Sequence, residues 1–227
     1  MKFKSLKKDA KAVLNKGYVK MDTYQIQEDL LQTLLKNYPN HKNKSAVETK
    51  VKLLNLFYST GIQATNMMAS NILSIKNIDE LLKEGDFGLV AKIANLRINN
   101  NTARYNYSFA TKYCAYHEPK KFPIYDSIVA MTFISFFEKG LLPKYKYSRR
   151  KVSESNVFTK NEFAEKLKDY EFFVEIYQYF MKLYDLEDFT YREIDAYIWG
   201  AFKLAGSDYE IEKMAQLDKS KIVEYVI

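Results

Sequence analysis

The chain has 227 residues, of which 47% are apolar, with only 7 Gly and 4 Pro. This composition excludes disordered, collagen-like and low-complexity proteins and suffices for one or two small domains. The net charge of +7 is unevenly spread, because residues 1–160 hold 27 Lys+Arg and 13 Asp+Glu, whereas residues 161–227 hold 8 and 15. The basic first part predicts either an anionic partner, above all nucleic acid, or a solvated lysine-rich surface.

The cysteine and histidine content limits the possible chemistry. One cysteine, Cys114, and two histidines, His41 and His117, are too few for a disulfide framework or a thiolate-rich metal site. We therefore predict no metal, no cofactor and a cytoplasmic location. The longest apolar run, residues 128–137, is half of the ~20 residues that a membrane span needs, so we predict no membrane partner.

Helix starts are the clearest local signals in the chain. The capping-box pattern of a short polar residue followed three positions later by Glu occurs five times. The five boxes begin at Ser45, Asn77, Thr159, Thr190 and Ser207. Each precedes apolar residues at helical spacing, and a further helix from Ile26 to Leu35 is closed by Pro39. Because no stretch alternates as a strand does, we predict an all-α fold of about nine or ten helices.

A basic connection divides the predicted helices into two groups. We predict a basic helical lobe at residues 1–139, a connecting loop at 140–156 and an acidic helical lobe at 157–227, or one compact domain overall. In the loop, cationic residues alternate with Tyr145 and Tyr147, which combines phosphate neutralisation with rings for stacking. The predicted nucleic-acid-binding residues are Lys144, Lys146, Arg149, Arg150 and Lys151. The alternative is a solvated flexible loop.

The segment from Ser108 to Phe133 carries the most informative pattern. Its first helix ends near His117 because Pro119 cannot continue it, and Pro123 then holds the chain extended. Asp126 follows at the start of a second, apolar helix, where an aspartate is the natural N-cap. The same position also suits a carboxylate that holds a water molecule or stabilises a cation. The surrounding aromatic residues indicate that Cys114 is a buried apolar residue.

These residues resemble the helix-hairpin-helix DNA glycosylase superfamily, in particular its 8-oxoguanine-DNA-glycosylase-like branch. Pro123, Ile124, Asp126, Ser127 and Val129 match the family's Pro-apolar-Asp motif, with Tyr125 as an extra residue before the aspartate. Weaker similarity is found at residues 53–65 and 190–202, so the resemblance covers residues 45–204. It implies a multi-helix, glycosylase-like arrangement.

Two departures limit what the resemblance implies. The Gly-rich hairpin is replaced by the sequence LRINNNTARYNY, in which Asn99 to Asn101 can turn the chain. The place of the family's lysine nucleophile falls on or next to Ser108, and Lys112 lies one helical turn too late. The resemblance therefore implies either a monofunctional glycosylase, which forms no Schiff base, or a protein that has lost the chemistry.

The reaction implied is excision of a modified base after its extrusion from the stack. Asp126 would stabilise the cationic sugar and position the attacking water. The implied base pocket contains Tyr58, Tyr113 and Tyr125 as stacking residues and Gln63 as a reader of the base or a filler of the gap. The alternative for each tyrosine is ordinary packing. A non-enzymatic nucleic-acid-binding or adaptor protein of the same fold, with Asp126 only as a helix cap, is the competing hypothesis.

Overall fold

The computed structural model describes residues 22–99 and 101–204, which form two compact units. The first unit, residues 22–125, contains six helices and one hairpin. These are α1 (Asp22–Asn37), α2 (Lys44–Tyr58), α3 (Thr65–Ser74), α4 (Ile78–Glu84), α5 (Gly88–Ala94), β1 (Asn95–Asn99), β2 (Thr102–Tyr105) and α6 (Tyr107–His117).

The second unit, residues 126–204, contains four helices and one pair of very short parallel strands. These are α7 (Ser127–Glu138), β3 (Lys146–Tyr147), β4 (Val157–Phe158), α8 (Lys160–Lys166), α9 (Tyr170–Leu183) and α10 (Tyr191–Leu204). The described residues thus contain ten helices, and the predicted all-α class is confirmed. The two units change at residues 125 and 126, whereas the sequence placed a connecting loop at 140–156. The basic and acidic lobes on either side of that loop stay a prediction.

Helix α6 is the central element of the first unit. It packs against α1, α2 and α5, and all of its residues except Ser108 and His117 are buried. Cys114 is fully buried, as predicted. Because α6 is buried on nearly all sides, its polar side chains have little access to water. Their hydrogen-bond partners must therefore lie inside the unit.

The core of the second unit is aromatic. Phe133 of α7 contacts Phe173, Tyr177 and Phe180 of α9, with ring centroids 5.3 to 6.0 Å apart. Phe137 stacks on Phe163 of α8 at 4.1 Å. Such rings bury large apolar areas and account for the packing of α7 against its neighbours.

The helix starts agree with two of the predicted capping boxes. Thr159 and Glu162 bond reciprocally, and so do Thr190 and Glu193. The box at Ser45 is wrong, because Asn43 caps α2 two residues earlier by accepting from the Ala46 N–H at 3.0 Å. The box at Asn77 is also wrong, since that residue precedes α4 in a left-handed conformation without a side-chain cap. Ser207 lies outside the described residues.

The hairpin from Asn95 to Tyr105 was not predicted. Its strands pair antiparallel with a bulge between Arg97 and Asn99. Leu96 is the only described residue of the two strands that is buried. A ribbon that buries one side chain carries no alternation for sequence reasoning to detect.

None of the helices in the described ranges is long and apolar enough to cross a membrane.

Candidate functional site

Asp126 occupies the N-cap position of α7, as predicted. Its Oδ1 accepts a hydrogen bond from the Val129 N–H at 2.9 Å, and the residue is half-buried. The bond satisfies one of the backbone donors that a helix start leaves unpaired. The geometry therefore accounts for an aspartate at this position, and its catalytic role stays a prediction.

The four residues predicted for the base pocket all lie in the first unit. Tyr58 is half-buried at the end of α2, and Gln63 is exposed and accepts from the Arg104 guanidinium at 3.4 Å. Tyr125 is half-buried, with its ring centroid 4.6 Å from that of Tyr107. Tyr113 is completely buried and offers no exposed surface on which a base can stack. The predicted stacking role does not fit the position of Tyr113 in the core.

Two of the five predicted basic residues in the loop at 140–156 are held by carboxylates. Lys144 bonds to Glu175, and its ammonium lies 5.2 Å from the Tyr145 ring centroid. Lys151 lies 3.6 Å from a Glu162 oxygen. Their charges are therefore partly neutralised within the protein.

The other three basic residues of the loop, Lys146, Arg149 and Arg150, are exposed. No carboxylate among the described residues lies within ion-pair distance of them. The hydroxyl of Ser148 donates to the Arg150 carbonyl at 2.6 Å and accepts from its N–H at 3.2 Å. The backbone at Arg150 is thus shaped by a local turn, while the guanidinium groups face solvent.

Sequence reasoning missed a buried polar network in the first unit, formed by His41, Lys50, Asp79, Tyr113 and His117. The His41 Nδ1 lies 2.6 Å from Asp79 Oδ1, and its Nε2 lies 2.8 Å from the Tyr113 hydroxyl. Burial lowers the pKa of His41 and raises that of Tyr113. We infer that a neutral His41 donates from Nδ1 to Asp79 and accepts at Nε2 from Tyr113, because a carboxylate fixes the tautomer of a histidine that it contacts.

Lys50 brings a positive charge into the same network. It is 1% exposed, and its Nζ makes two long contacts of 3.5 Å within the described ranges, to the Asn40 carbonyl and to His117 Nε2. The His117 ring stacks on His41 with centroids 4.9 Å apart. Burial lowers the pKa of Lys50 from 10.5 to about 8, and burial with the nearby Lys50 charge holds the pKa of His117 well below 6.5.

One sequence signal pointed to this network. Lys50 lies on the same face of its helix as Val47, Val51 and Leu54, at a position where an amphipathic helix usually has an apolar residue. A charged residue on a buried stripe needs polar partners. The histidines alone gave no such indication, because His41 lies in the connection between α1 and α2 and meets His117 only in the folded unit.

A second set of polar contacts involves Lys112 and Tyr116 of α6. Lys112 is 3% exposed, donates to Ser108 Oγ at 2.8 Å and lies 5.4 Å from the Tyr58 ring centroid. Tyr116 bonds to Tyr58 and donates to Glu28 of α1. The Lys112 ammonium therefore contacts the side chain of Ser108, the position at which the resemblance places the family's lysine nucleophile.

A groove with both polar and apolar lining residues runs between α3 and β1. It is lined by Asn66, Met67, Ser70, Asn71, Ser74, Leu96 and Arg97. The amide of Asn71 donates to the Lys92 and Ile93 carbonyls at 3.2 Å, which fixes the groove wall against α5. Within the described ranges, no group of three or more His, Cys, Asp or Glu residues is placed to hold a metal ion.

The first unit coincides with most of a conserved domain. Residues 6–121, just over half of the chain, match the family model HI_0787_N, described as an N-terminal domain. The chain therefore belongs to the HI_0787_N family. It is also similar to an uncharacterized protein from Haemophilus influenzae, with 36% identity over 149 residues, which cover 66% of this chain and 62% of the relative. No solved structure matches the chain.

Proposed function

We propose that the protein binds nucleic acid through exposed arginines, and that the loop at 140–156 supplies part of the contact. The observation that carries this proposal is the exposure of Arg149 and Arg150 without an ion-pair partner among the described residues. An exposed guanidinium with no carboxylate beside it retains its full charge and both donor edges for a phosphate. The excess of basic residues in positions 1–160 supports an anionic partner of this kind.

The test is the salt dependence of binding to labelled duplex and single-stranded DNA. Replacing Arg149 and Arg150 by Ala should weaken affinity and reduce the slope of log K against log salt by roughly 0.7 to 0.9 for each lost phosphate contact. The matched control replaces Lys160 and Lys168, which lie 2.9 and 2.6 Å from Glu138 and Glu165 in the same unit. This control removes the same charge but should leave the slope nearly unchanged.

Two results would contradict the proposal. Wild-type protein that binds neither DNA form at low salt, about 50 mM, contradicts nucleic-acid binding as a whole. An equal slope in the wild type and the arginine variant, with binding intact, contradicts the assignment of the loop.

Base excision at Asp126 is a second candidate function. The half-buried carboxylate at the start of α7 supports it, because a cap orients an acidic side chain at the positive end of a helix. Such a group can stabilise the cationic sugar formed as a base leaves. The proposed location for either function is the cytoplasm, in agreement with the single cysteine.

A further inference from the structure

The hairpin of the first unit presents nearly all of its side chains to solvent. Leu96 anchors it against the neighbouring helices, since β1 contacts both α3 and α5. Neither strand contains an acidic residue, whereas each contains one arginine, Arg97 in β1 and Arg104 in β2. An exposed ribbon of this composition is suited to an anionic ligand.

An aromatic ring ends the second strand of this hairpin. Tyr105 is 55% exposed although its ring stacks on that of Tyr107, with centroids 5.9 Å apart and planes 14° from parallel. Tyr107 is itself buried and contacts Tyr125 at 4.6 Å. Packing on a buried ring restricts the rotamers of Tyr105, so its exposed surface is presented in a fixed orientation.

The strand register places a guanidinium beside this ring. Asn95 pairs with Tyr105 and Arg97 pairs with Ala103. Because side chains two residues apart in a strand share a face, Arg97 and Tyr105 lie on the same face of the ribbon as diagonal neighbours. Arg104 lies on the opposite face, where it bonds to Gln63.

The groove between α3 and β1 continues from Arg97 along α3. Asn66 and Ser70 offer amide and hydroxyl groups there, which can bond to sugar or base edges. Surfaces that bind an unpaired strand combine a cationic group, an exposed ring and hydrogen-bonding groups at neighbouring positions. A duplex keeps its bases stacked on one another and cannot use the ring in this way.

We propose that Tyr105 and Arg97 form a stacking site for an unpaired nucleotide, with the Tyr105 ring against the base and the Arg97 guanidinium on a neighbouring phosphate. This inference rests on the proposed function and specifies its substrate class as single-stranded nucleic acid. Both residues of this site lie in the first unit.

The test compares a labelled oligothymidylate with a mixed-sequence duplex. Tyr105→Ala should weaken oligothymidylate binding by roughly 5- to 150-fold, the cost of one lost base–aromatic stack, and leave duplex binding within about twofold. Tyr105→Phe should retain the affinity because the ring remains. Arg97→Ala should lower the salt slope for the single strand by roughly 0.7. Tyr38→Ala, which removes another exposed tyrosine of the same unit, is the control.

The outcomes separate this inference from the proposed function. If the wild type binds neither ligand, the proposed function fails and the inference fails with it. If the wild type binds but Tyr105→Ala matches Tyr38→Ala, the stacking site is refuted while nucleic-acid binding stands. If Tyr105→Ala weakens both ligands equally, the ring does not distinguish unpaired bases and the inference is also refuted. Circular dichroism of each variant shows whether the fold is retained.

Discussion

Replacement of Lys50 by Met should stabilise the first unit. The Lys50 ammonium is buried, its two contacts are 3.5 Å long, and burial lowers its pKa from 10.5 to about 8. One pKa unit corresponds to about 1.4 kcal/mol, so the charged side chain costs the folded state up to about 3 kcal/mol at neutral pH. Met has similar length and no charge, and it fills an irregular buried space well.

The expected gain is smaller than this upper value. The lowered pKa already includes the favourable interaction with Asp79, but the Asn40 carbonyl loses a donor on substitution, and such a loss has its own cost. We therefore expect the free energy of unfolding to rise by about 1 to 2 kcal/mol, in the range found when buried ionic groups are replaced by apolar ones. Between pH 8 and 10.5 the unfolded chain binds more protons at this lysine than the folded chain, so wild-type stability rises with pH and the advantage of Lys50→Met shrinks.

Urea denaturation followed by far-ultraviolet circular dichroism measures the effect. Fluorescence of Trp199, the only tryptophan, reports on the second unit and is unsuitable. Lys52→Met, two residues along the same helix at an exposed position, controls for the removal of charge. A loss of about 1 kcal/mol or more in Lys50→Met, with Lys52→Met unchanged, would refute the reasoning, because a net favourable role of the ammonium would then outweigh its burial.

The remaining predictions concern acid stability, helix caps and catalysis. The pKa of His117 is held well below 6.5, so below pH 6.5 the unfolded chain binds more protons at this residue than the folded chain. Wild-type stability should therefore decrease on acidification. Urea titrations from neutral to acidic pH should show a smaller decrease for His117→Gln. Thr159→Ala should lose about 1 kcal/mol of stability by removing a helix cap, whereas Ser45→Ala should change little because Ser45 lies inside its helix. Asp126→Asn should lose less than about 1 kcal/mol of stability, because the amide oxygen can accept the same hydrogen bond from the Val129 N–H, whereas base release from damaged oligonucleotides, measured on the same preparation, should disappear if the carboxylate is catalytic. Borohydride should trap no covalent DNA adduct in the wild type, and a trapped adduct would assign the nucleophile to Lys112.

Local signals predicted the helices well because they depend on few residues. The cap at Asp126 needs one side chain and the boxes at Thr159 and Thr190 need two each, all bonding to backbone groups within three positions. The box at Ser45 failed for the same local reason, since Asn43 offers an equally good acceptor two residues earlier and takes the cap. A helix start is misplaced when only one of two neighbouring N-cap residues is considered, as here with Ser45 and Asn43.

The hairpin and the buried network could not be predicted in the same way. The hairpin buries only Leu96, so its sequence lacks the alternation that identifies a strand. In the network, His41 and Tyr113 are 72 residues apart and His41 and Asp79 are 38 residues apart. Their contact depends on how the helices pack, which no local pattern records.

Helix α6 links the buried network to the proposed stacking site. One side of α6 places Tyr113 and His117 in the network, and Lys112 and Tyr116 bond to Ser108 and Glu28. Hydrogen bonds of this kind tolerate little displacement, because an unpaired buried polar group costs about 1 to 3 kcal/mol. We infer that they fix the rotation of α6 more narrowly than apolar packing alone does.

The first residue of α6 is Tyr107, the ring on which Tyr105 stacks. The rotation of α6 therefore sets the orientation of Tyr107, and Tyr107 in turn sets the orientation of the exposed Tyr105 ring. The buried Lys50 lowers stability at neutral pH, and the lowered pKa values of His41 and His117 add a cost at acidic pH. Groups that lower stability are expected where they maintain the geometry of a functional surface, and the surface that α6 orients carries the proposed stacking site.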